Sequence, residues 1–515
     1  MTDSIIKKII KNTLFLYLST FISQLTGFIL LPIIIDKVGK SDFGLYILAL
    51  SIPLFLSFLD FGMTSAVIRF IAPLDPDRDQ NRINEILTSV LILRIMTGLA
   101  IALVLWAISC RVEGYFKIDA SQVDQAKRIF RIMALFIVIN WTLMIFRSVV
   151  YARERYEIDT LSILTGSLSG FILALVFLHI HKSIEIVICG LLLGQLLGNL
   201  INLVGSWKML PHLSVRGRYL SFHAIRDVYA FGGKLFVSNV CGSVLYQLDK
   251  ILLGLYRDFT SVAEFGIADA LHQIPRTVHL LSTNAVMPAI SNLEAQNDWG
   301  AIRRIVLASS KVVLSLVYPV TLYFLFFARP FILWYVGEGF ENTILTTKVY
   351  VFYIFFYANT GVIGSALIGT GRINFLFLYA LVILITKVAL SLILIPLHGH
   401  LGAVLSTTLV ISVSFPVYLS ISLRILHISI WDYARYVLLR HIIPVTVVAL
   451  FCFVAGKYIV RPAFLPLLLM SLLCFGIYQG VFFYLGLNRG ERASLINHIL
   501  EVLRFRSKRF MNGEM

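Results

Sequence analysis

Ionisable side chains recur along one apolar stretch of the sequence at the spacing of a helical face. They occupy positions i, i+3, i+4, i+7 and i+10 of that stretch: Asp269, His272, Gln273, Arg276 and His279. Pro275, within the same stretch, predicts a kink because proline removes a backbone hydrogen bond. Charges are costly inside a bilayer, so such residues face a bundle interior or a water-filled cavity. We expect this face to line a solvated cavity, with a hydrogen-bonded seam between helices as the alternative.

Three further cations occur singly in other apolar stretches. Lys387 lies near the middle of its stretch, where its ammonium group is far from either membrane interface. Lys250 directly follows Asp249, and consecutive residues of a helix point about 100° apart, so the two cannot face one lumen squarely. Arg94 lies closer to the end of its stretch. Its side chain either faces a cavity or extends to the cytoplasmic interface.

Carboxylates in the apolar stretches complement these cations. A buried carboxylate either pairs with a cation or has a raised pKa and takes up a proton. Asp60 lies midway through its stretch, in Leu59-Asp60-Phe61-Gly62. The candidate substrate-binding residues are thus Arg276, Lys387, Lys250, Arg94 and His272. The candidate salt-bridge or coupling-ion residues are Asp60, Asp249 and Asp269.

The helices that position these residues are predicted to cross a membrane. The chain has 515 residues, of which 58% are hydrophobic and 14% charged, whereas globular domains are about half apolar and a quarter charged. Apolar windows of about 20 residues, each long enough to span the hydrocarbon core, recur almost to the C-terminus. We therefore predict an all-α polytopic membrane protein with about 14 transmembrane helices.

The distribution of basic residues predicts the topology. The formal net charge is +16, and the basic residues concentrate in alternate loops, as the positive-inside rule requires of the cytoplasmic side. An even number of spans then places both termini in the cytoplasm. The excess charge contacts anionic membrane lipids and does not indicate nucleic-acid binding. The basic tail of residues 491–515 includes a predicted amphipathic helix on the cytoplasmic surface.

A weak internal repeat predicts the domain organisation. Asp42-Phe43-Gly44 opens the second predicted span and Glu264-Phe265-Gly266 opens the eighth. With the span count, this predicts two six-helix lobes, residues 1–215 and 216–428, followed by a helix pair at 429–490. Transporters are commonly built from such repeats, with the substrate site between them.

Motifs of common enzymes are absent from the sequence. It contains no Gly-x-x-x-x-Gly-Lys phosphate loop, His-Glu-x-x-His, paired Cys-x-x-Cys or Gly-x-Ser-x-Gly. The five cysteines are scattered without metal-ligand spacing and are expected to pack as small apolar side chains. No loop is long enough to fold as a separate domain. We therefore predict neither catalytic nor metal-binding residues, no cofactor, and a protein that is not an enzyme.

The first two spans resemble a known family of transporters. The residues that carry the resemblance are Gly27-Phe28-Ile29-Leu30-Leu31-Pro32, Val38-Gly39-Lys40-Ser41-Asp42-Phe43-Gly44-Leu45-Tyr46 and Leu59-Asp60-Phe61-Gly62. Leu248-Asp249-Lys250-Ile251-Leu252-Leu253-Gly254 is similar to a second hallmark. The family is that of the polysaccharide transporters, which includes the O-antigen flippases. It belongs to the superfamily shared with multidrug and toxin extrusion proteins and lipid II flippases.

The resemblance implies a fold, a substrate and a location. It implies a V-shaped, two-lobed bundle in a bacterial inner membrane that opens alternately inward and outward. The implied substrate is an undecaprenyl-pyrophosphate-linked oligosaccharide, moved from the cytoplasmic to the periplasmic leaflet. The cations would attract the pyrophosphate, and the carboxylates would pair with them or bind a driving proton or sodium ion. Other polysaccharide-assembly proteins are expected partners.

Other functions compatible with a polytopic membrane protein are less well supported by these residues. A cation-coupled multidrug exporter of the same superfamily should have a net acidic lumen, whereas the mid-membrane residues here lean basic. A membrane polysaccharide polymerase or glycosyltransferase usually carries a sizeable extramembrane loop. A scaffold would not explain Lys387 at mid-bilayer.

Overall fold

The chain is helical throughout its described part. The computed structural model describes residues 2–283, 286–457 and 462–493, and these residues contain no strand. This confirms the predicted all-α class. The predicted amphipathic tail helix lies outside the described residues, apart from residues 491–493.

The helices form two compact units, which we describe separately. The first unit comprises Met1–Ile267 and Ala380–Ser406, and the second comprises Ala268–Tyr379 and Thr407–Met515. The predicted lobes and their V-shaped arrangement stay predictions.

The first ten helices belong to the first unit. They are α1 (Thr2–Val38), α2 (Lys40–Phe55), α3 (Met63–Ile71), α4 (Gln80–Cys110), α5 (Val112–Tyr115), α6 (Val123–Leu143), α7 (Ile145–Ala152), α8 (Tyr156–Ile180), α9 (Ile184–Met209) and α10 (Phe222–Tyr256). A 3₁₀ turn, Leu56–Asp60, follows α2 directly.

The remaining helices run from α11 to α21. They are α11 (Phe259–Thr283), α12 (Val286–Ala295), α13 (Trp299–Val336), α14 (Glu341–Phe352), α15 (Ile354–Tyr357), α16 (Thr360–Gly369), α17 (Asn374–His398), α18 (His400–Ile425), α19 (Ile430–Tyr433), α20 (Leu439–Ala455) and α21 (Phe464–Val481). By the division above, α11 and α18 contribute to both units, and most of α17 belongs to the first unit.

Many of these helices can cross a bilayer. Among the described residues, eleven are long and apolar enough to do so, and the bent pair Glu341–Tyr357 and Thr360–Gly369 gives up to twelve. The helices α10 and α11, which carry many of the candidate charges, are not in this set. The protein is therefore a multi-pass membrane protein, and the number of fourteen spans stays a prediction.

Close packing of α8 against α9 explains the glycine ridges of these helices. A Cβ added to Gly194 would lie 2.3 Å from the backbone of Gly170, and one added to Gly198 would lie 2.6 Å from the carbonyl oxygen of Ser162. Small residues let helix backbones approach in membranes, where packing rather than the hydrophobic effect holds helices together.

The glycines of the two repeated triplets also lie at tight contacts within the first unit. A Cβ on Gly44 would lie 1.7 Å from the carbonyl oxygen of Phe259. A Cβ on Gly266 would lie 3.0 Å from the side chain of Ile47. Gly44 therefore lets α2 pack closely against the start of α11, and Gly266 lets α11 pack closely against Ile47 of α2.

We expect Gly194→Ala to destabilise the protein, because the new methyl group would overlap backbone atoms of α8. Overpacking of this kind costs about 1–3 kcal/mol. The measurement is the melting temperature of the detergent-solubilised protein. Gly476→Ala is the matched control, since nothing lies within 4 Å of a Cβ there. An unchanged melting temperature for Gly194→Ala would contradict the α8–α9 packing.

Candidate functional site

Arg94 and Asp60 form an ion pair inside the first unit. Arg94 on α4 is 1% exposed, and its Nη2 donates to Asp60 Oδ1. The same nitrogen donates to Thr64 Oγ1 at 2.7 Å. Of the two alternatives left open by the sequence, extension of Arg94 to the interface is excluded in this structure, because the guanidinium is held inside the unit.

A break in the second predicted span positions Asp60. The 3₁₀ turn ends at Asp60, and Phe61 and Gly62 then adopt left-handed conformations with φ of 47° and 69° before α3 begins. The α10 backbone packs on this break, since a Cβ on Gly232 would lie 1.9 Å from the carbonyl oxygen of Phe61. The motif Leu59-Asp60-Phe61-Gly62 therefore interrupts the helix and presents a carboxylate at the interruption.

The Arg94–Asp60 pair lines a cavity of about 350 Å³. Its lining residues come from the broken second span, α4, α6, α10 and the residue joining α6 to α7: Ser57, Asp60, Thr64, Arg94, Trp141, Met144, Asn239, Gly242 and Ser243. The guanidinium of Arg94 lies over the Trp141 ring at 5.0 Å from its centroid. Trp141 Nε1 donates to Thr97 Oγ1 at 2.9 Å, which fixes the ring. We call this space the Arg94 cavity.

Lys387 forms a second buried ion pair in the first unit. Its Nζ lies 2.6 Å from Asp249 Oδ1, and the two side chains are 1% and 3% exposed. Ser391 Oγ donates to the same carboxylate oxygen at 3.0 Å and lies 2.8 Å from Ser406 Oγ. The pair connects α10 to α17. The ammonium group of Lys387 is thus engaged and shielded in this structure.

Lys250, the next residue on α10, is less enclosed. It is half-buried, and its Nζ donates to Gln247 Oε1 at 3.4 Å. The different surroundings of Asp249 and Lys250 confirm that these consecutive residues do not share one face.

The polar residues of α11 in the second unit separate into two environments. His272 and His279 are buried, whereas Gln273 and Arg276 are half-buried. His272 Nε2 lies 2.7 Å from the hydroxyl of Tyr353, and the His272 ring stacks on Tyr350 with centroids 4.0 Å apart.

The half-buried Gln273 and Arg276 and the buried Asp269 form a chain of contacts along α11. Arg276 Nη1 donates to Gln273 Oε1 at 2.8 Å, and Gln273 Nε2 donates to Asp269 Oδ1 at 3.4 Å. The helix is continuous through Pro275, so the expected kink there stays a prediction. Of the predicted stripe, the half-buried Gln273 and Arg276 are the better candidates for a cavity wall.

A third ion pair was not predicted from the sequence. Arg147 Nε lies 2.8 Å from Asp159 Oδ1, and the hydroxyl of Tyr151 donates to Asp159 Oδ2 at 2.7 Å. Asp159 is buried, and together with Arg147 it lines a separate cavity of about 400 Å³ among α1, α8 and α9. Both residues lie near the ends of predicted spans, where charges are ordinarily solvated. The feature of the sequence that indicates this pair is Asp159, an acidic residue in the first turn of the apolar helix α8.

A cluster of three charged or titratable side chains joins the starts of three helices in the first unit. The carboxylate of Glu264 lies 2.6 Å from Lys40 Nζ through Oε1 and 2.7 Å from His400 Nε2 through Oε2. Lys40 begins α2, Glu264 lies in α11, and His400 begins α18. Sequence reasoning missed the cluster because each residue stands alone beside a predicted loop.

The apolar helices and the ion pairs between them define the chain as a helical multi-pass membrane protein. The family model described as "Polysaccharide biosynthesis protein" matches residues 9–294. Since that is more than half of the chain, the protein belongs to this family, which confirms the resemblance read from the motifs.

Individual relatives agree with the family. The "Putative O-antigen transporter" of Shigella flexneri is 22% identical over 406 residues, which are 77% of this chain and 94% of that protein. The solved structure of the lipid II flippase MurJ in an inward closed conformation matches with a TM-score of 0.72 and 17% identity, over 92% of this chain and 99% of that one.

The same fold occurs in drug transporters. An inward-facing multidrug resistance transporter of the MATE family and MOP superfamily matches with a TM-score of 0.67 and 14% identity, over 79% of this chain and 94% of that one. At these identities the structural matches show the shared fold. All three relatives are named as transporters or flippases, in agreement with the prediction that the protein is not an enzyme.

We expect Lys387→Met alone to destabilise the protein, because it leaves the Asp249 carboxylate buried without its cation. Breaking a buried pair by removing one partner costs about 3–5 kcal/mol. The double variant Lys387→Met/Asp249→Leu should regain most of the lost stability. The melting temperature in detergent measures both effects, and equal losses in the single and double variants would contradict the pairing.

The same two variants separate a structural from a transport role of Lys387. If the ammonium group only balances Asp249, the double variant should restore surface polysaccharide together with stability. If Lys387 also contacts substrate, the double variant should fold but export poorly.

We expect Glu264→Lys to weaken the three-residue cluster, since a positive group replaces the carboxylate that Lys40 and His400 both contact. A partly buried pair of this kind contributes about 1 kcal/mol. Combining it with Lys40→Glu should restore part of the melting temperature by reversing the pair. A double variant less stable than Glu264→Lys alone would contradict the direct contact.

Proposed function

We propose that the protein is a flippase for a lipid-linked oligosaccharide, moved from the cytoplasmic to the periplasmic leaflet of a bacterial inner membrane. Family membership and the relative named as an O-antigen transporter support the polysaccharide pathway. The fold shared with a lipid II flippase supports movement of a lipid-linked substrate. The expected carrier is undecaprenyl pyrophosphate.

The observation that carries the proposal is the placement of cations within helices of a multi-pass membrane protein. Lys250 on α10 and Arg276 on α11 are half-buried, and their contacts include the side chains of Gln247 and Gln273. Charges inside a membrane protein mark substrate or ion pathways, because lipid would otherwise exclude them. The pyrophosphate is the part of the substrate most costly to move through a low dielectric, and a cationic path lowers that cost.

The candidate cations differ in how readily they could contact a substrate. Lys387 and Arg94 are nearly fully buried and paired with carboxylates. A substrate must break those pairs before it can bind there. Lys250 and Arg276 are less buried, so they are the first candidates to contact the pyrophosphate. His272 is buried and stacks on Tyr350.

The energy source and the topology are further parts of the proposal. Asp60, Asp249 and Asp269 are the candidate groups for a coupling proton or sodium ion. Both termini are expected in the cytoplasm, with lobes 1–215 and 216–428 alternating in access. Membrane lipids and other polysaccharide-assembly proteins are the expected partners.

A second candidate function is export of cationic drugs. The fold shared with a MATE-family multidrug transporter favours it. A drug exporter binds a cation, so acidic groups should line its path, and the half-buried charges Lys250 and Arg276 are of the opposite sign. Drug susceptibility of cells with and without the protein separates the two functions.

We expect the double variant Lys250→Ala/Arg276→Ala to reduce surface polysaccharide about tenfold or more in a strain that lacks the chromosomal copy. Each lost charge-assisted contact weakens binding by about 1.5–3 kcal/mol, and 1.4 kcal/mol is tenfold. The lipid-linked saccharide should accumulate at the cytoplasmic leaflet. The amount of protein in the membrane is measured in parallel.

The control for this experiment is Arg329→Ala, which removes an exposed cation from α13. It should leave polysaccharide unchanged. Normal polysaccharide from the double variant would refute the cationic path. A wild-type gene that changes drug susceptibility but not surface polysaccharide would support the exporter instead.

A further inference from the structure

We propose that the Arg94 cavity binds a sugar of the lipid-linked saccharide rather than its pyrophosphate. The inference rests on the proposed function and names the part of the substrate that this cavity receives. Its volume of about 350 Å³ falls within the range of small-molecule sites, about 300–1,000 Å³.

The charge balance of the cavity argues against an anionic ligand. Among the described residues of its lining, Arg94 is the cation, and it directs Nη2 to Asp60 and Thr64. These described lining residues therefore carry one positive and one negative charge. A phosphate oxygen that approached Arg94 would also approach the Asp60 carboxylate, which repels it.

The mixture of hydrogen-bonding groups fits a hydroxyl-bearing ligand. A deprotonated phosphate only accepts hydrogen bonds, whereas each sugar hydroxyl both donates and accepts. The lining offers a carboxylate acceptor in Asp60, an amide with both functions in Asn239, and hydroxyls of both functions in Ser57 and Thr64. Asp60 remains 18% exposed despite its pairing, so its carboxylate is accessible from the cavity.

One wall of the cavity is aromatic and held in place. Trp141 is fixed by its hydrogen bond to Thr97 and by the Arg94 guanidinium over its ring. Met144 extends the apolar part of the lining. Sugars present apolar C–H groups beside their hydroxyls, and an amphipathic indole beside polar groups complements both.

The test compares two ligands that share the lipid and the pyrophosphate. One is the lipid-linked saccharide extracted from a strain that lacks the protein, and the other is undecaprenyl pyrophosphate. Binding to the full-length protein in detergent is followed by microscale thermophoresis. We expect the wild type to bind the saccharide-bearing lipid about tenfold more tightly, equivalent to one or two hydrogen bonds to the sugar.

Asn239→Leu should remove this gain and leave the affinity for undecaprenyl pyrophosphate unchanged. Ser57→Ala is a milder second variant that should reduce the gain about threefold. Asn199→Leu is the matched control, because Asn199 lines the separate 400 Å³ cavity of the same unit. It should retain the full gain. Melting temperatures confirm that each variant is folded.

Three results would overturn the proposal, and they differ in what they imply. Equal loss of affinity for both lipids in Asn239→Leu would place the pyrophosphate in the cavity. A full gain in both Asn239→Leu and Ser57→Ala would place the sugar elsewhere. A wild type that binds neither lipid would refute the proposed function itself, and the sugar subsite with it.

Discussion

The cost of an unpaired charge in a low-dielectric interior is the constraint on which much of the first unit depends. In the described part of this unit, Arg94 and Lys387 are 1% exposed and each pairs with a carboxylate on another helical segment, while the less buried Arg147 pairs with the buried carboxylate of Asp159. The pairs are Arg94–Asp60, Arg147–Asp159 and Lys387–Asp249. Each pair replaces the lost hydration of two ions with a direct contact and additional hydrogen bonds. Each therefore also ties two segments of the chain together, α4 to the broken second span, α7 to α8, and α10 to α17.

The sequence predicted which residues are charged within the membrane but not how they pair. Helical periodicity and hydropathy depend on neighbours within a few turns, so they located helices such as α4 and α17 and the spacing of polar residues along α11. Lys387 and Asp249 are 138 positions apart, and no local pattern connects them. The division of the α11 stripe was hidden for the same reason, since Tyr350 and Tyr353 bury His272 from a different helix. Arg147 was missed because a charge near a span end is ordinarily solvated.

Whether a cation forms a buried ion pair also affects how easily it can bind and release a substrate during transport. A transport site must bind its ligand and release it again, so its groups have to exchange partners at low cost. Lys387, paired with Asp249 and supported by Ser391, would lose a strong contact if it did so. Lys250 and Arg276 are half-buried and therefore less enclosed than Lys387, which is 1% exposed. The burial of Lys387 is thus better explained by its pairing with Asp249 on another helix than by substrate binding.

The motif Leu59-Asp60-Phe61-Gly62 connects family membership to the proposed sugar subsite. Interrupting a membrane helix frees backbone groups, and such a break is tolerated where protein or a polar cavity surrounds it. Here the left-handed Phe61 and Gly62 make the break, and the Asp60 carboxylate accepts from the backbone N–H of Thr64 at the start of α3. The carboxylate therefore serves the broken helix and Arg94 at once, which leaves the surrounding cavity electrically balanced. A balanced cavity offers no net charge to attract an ion, so its affinity for a neutral ligand has to come from hydrogen bonds and shape, the features by which one sugar differs from another.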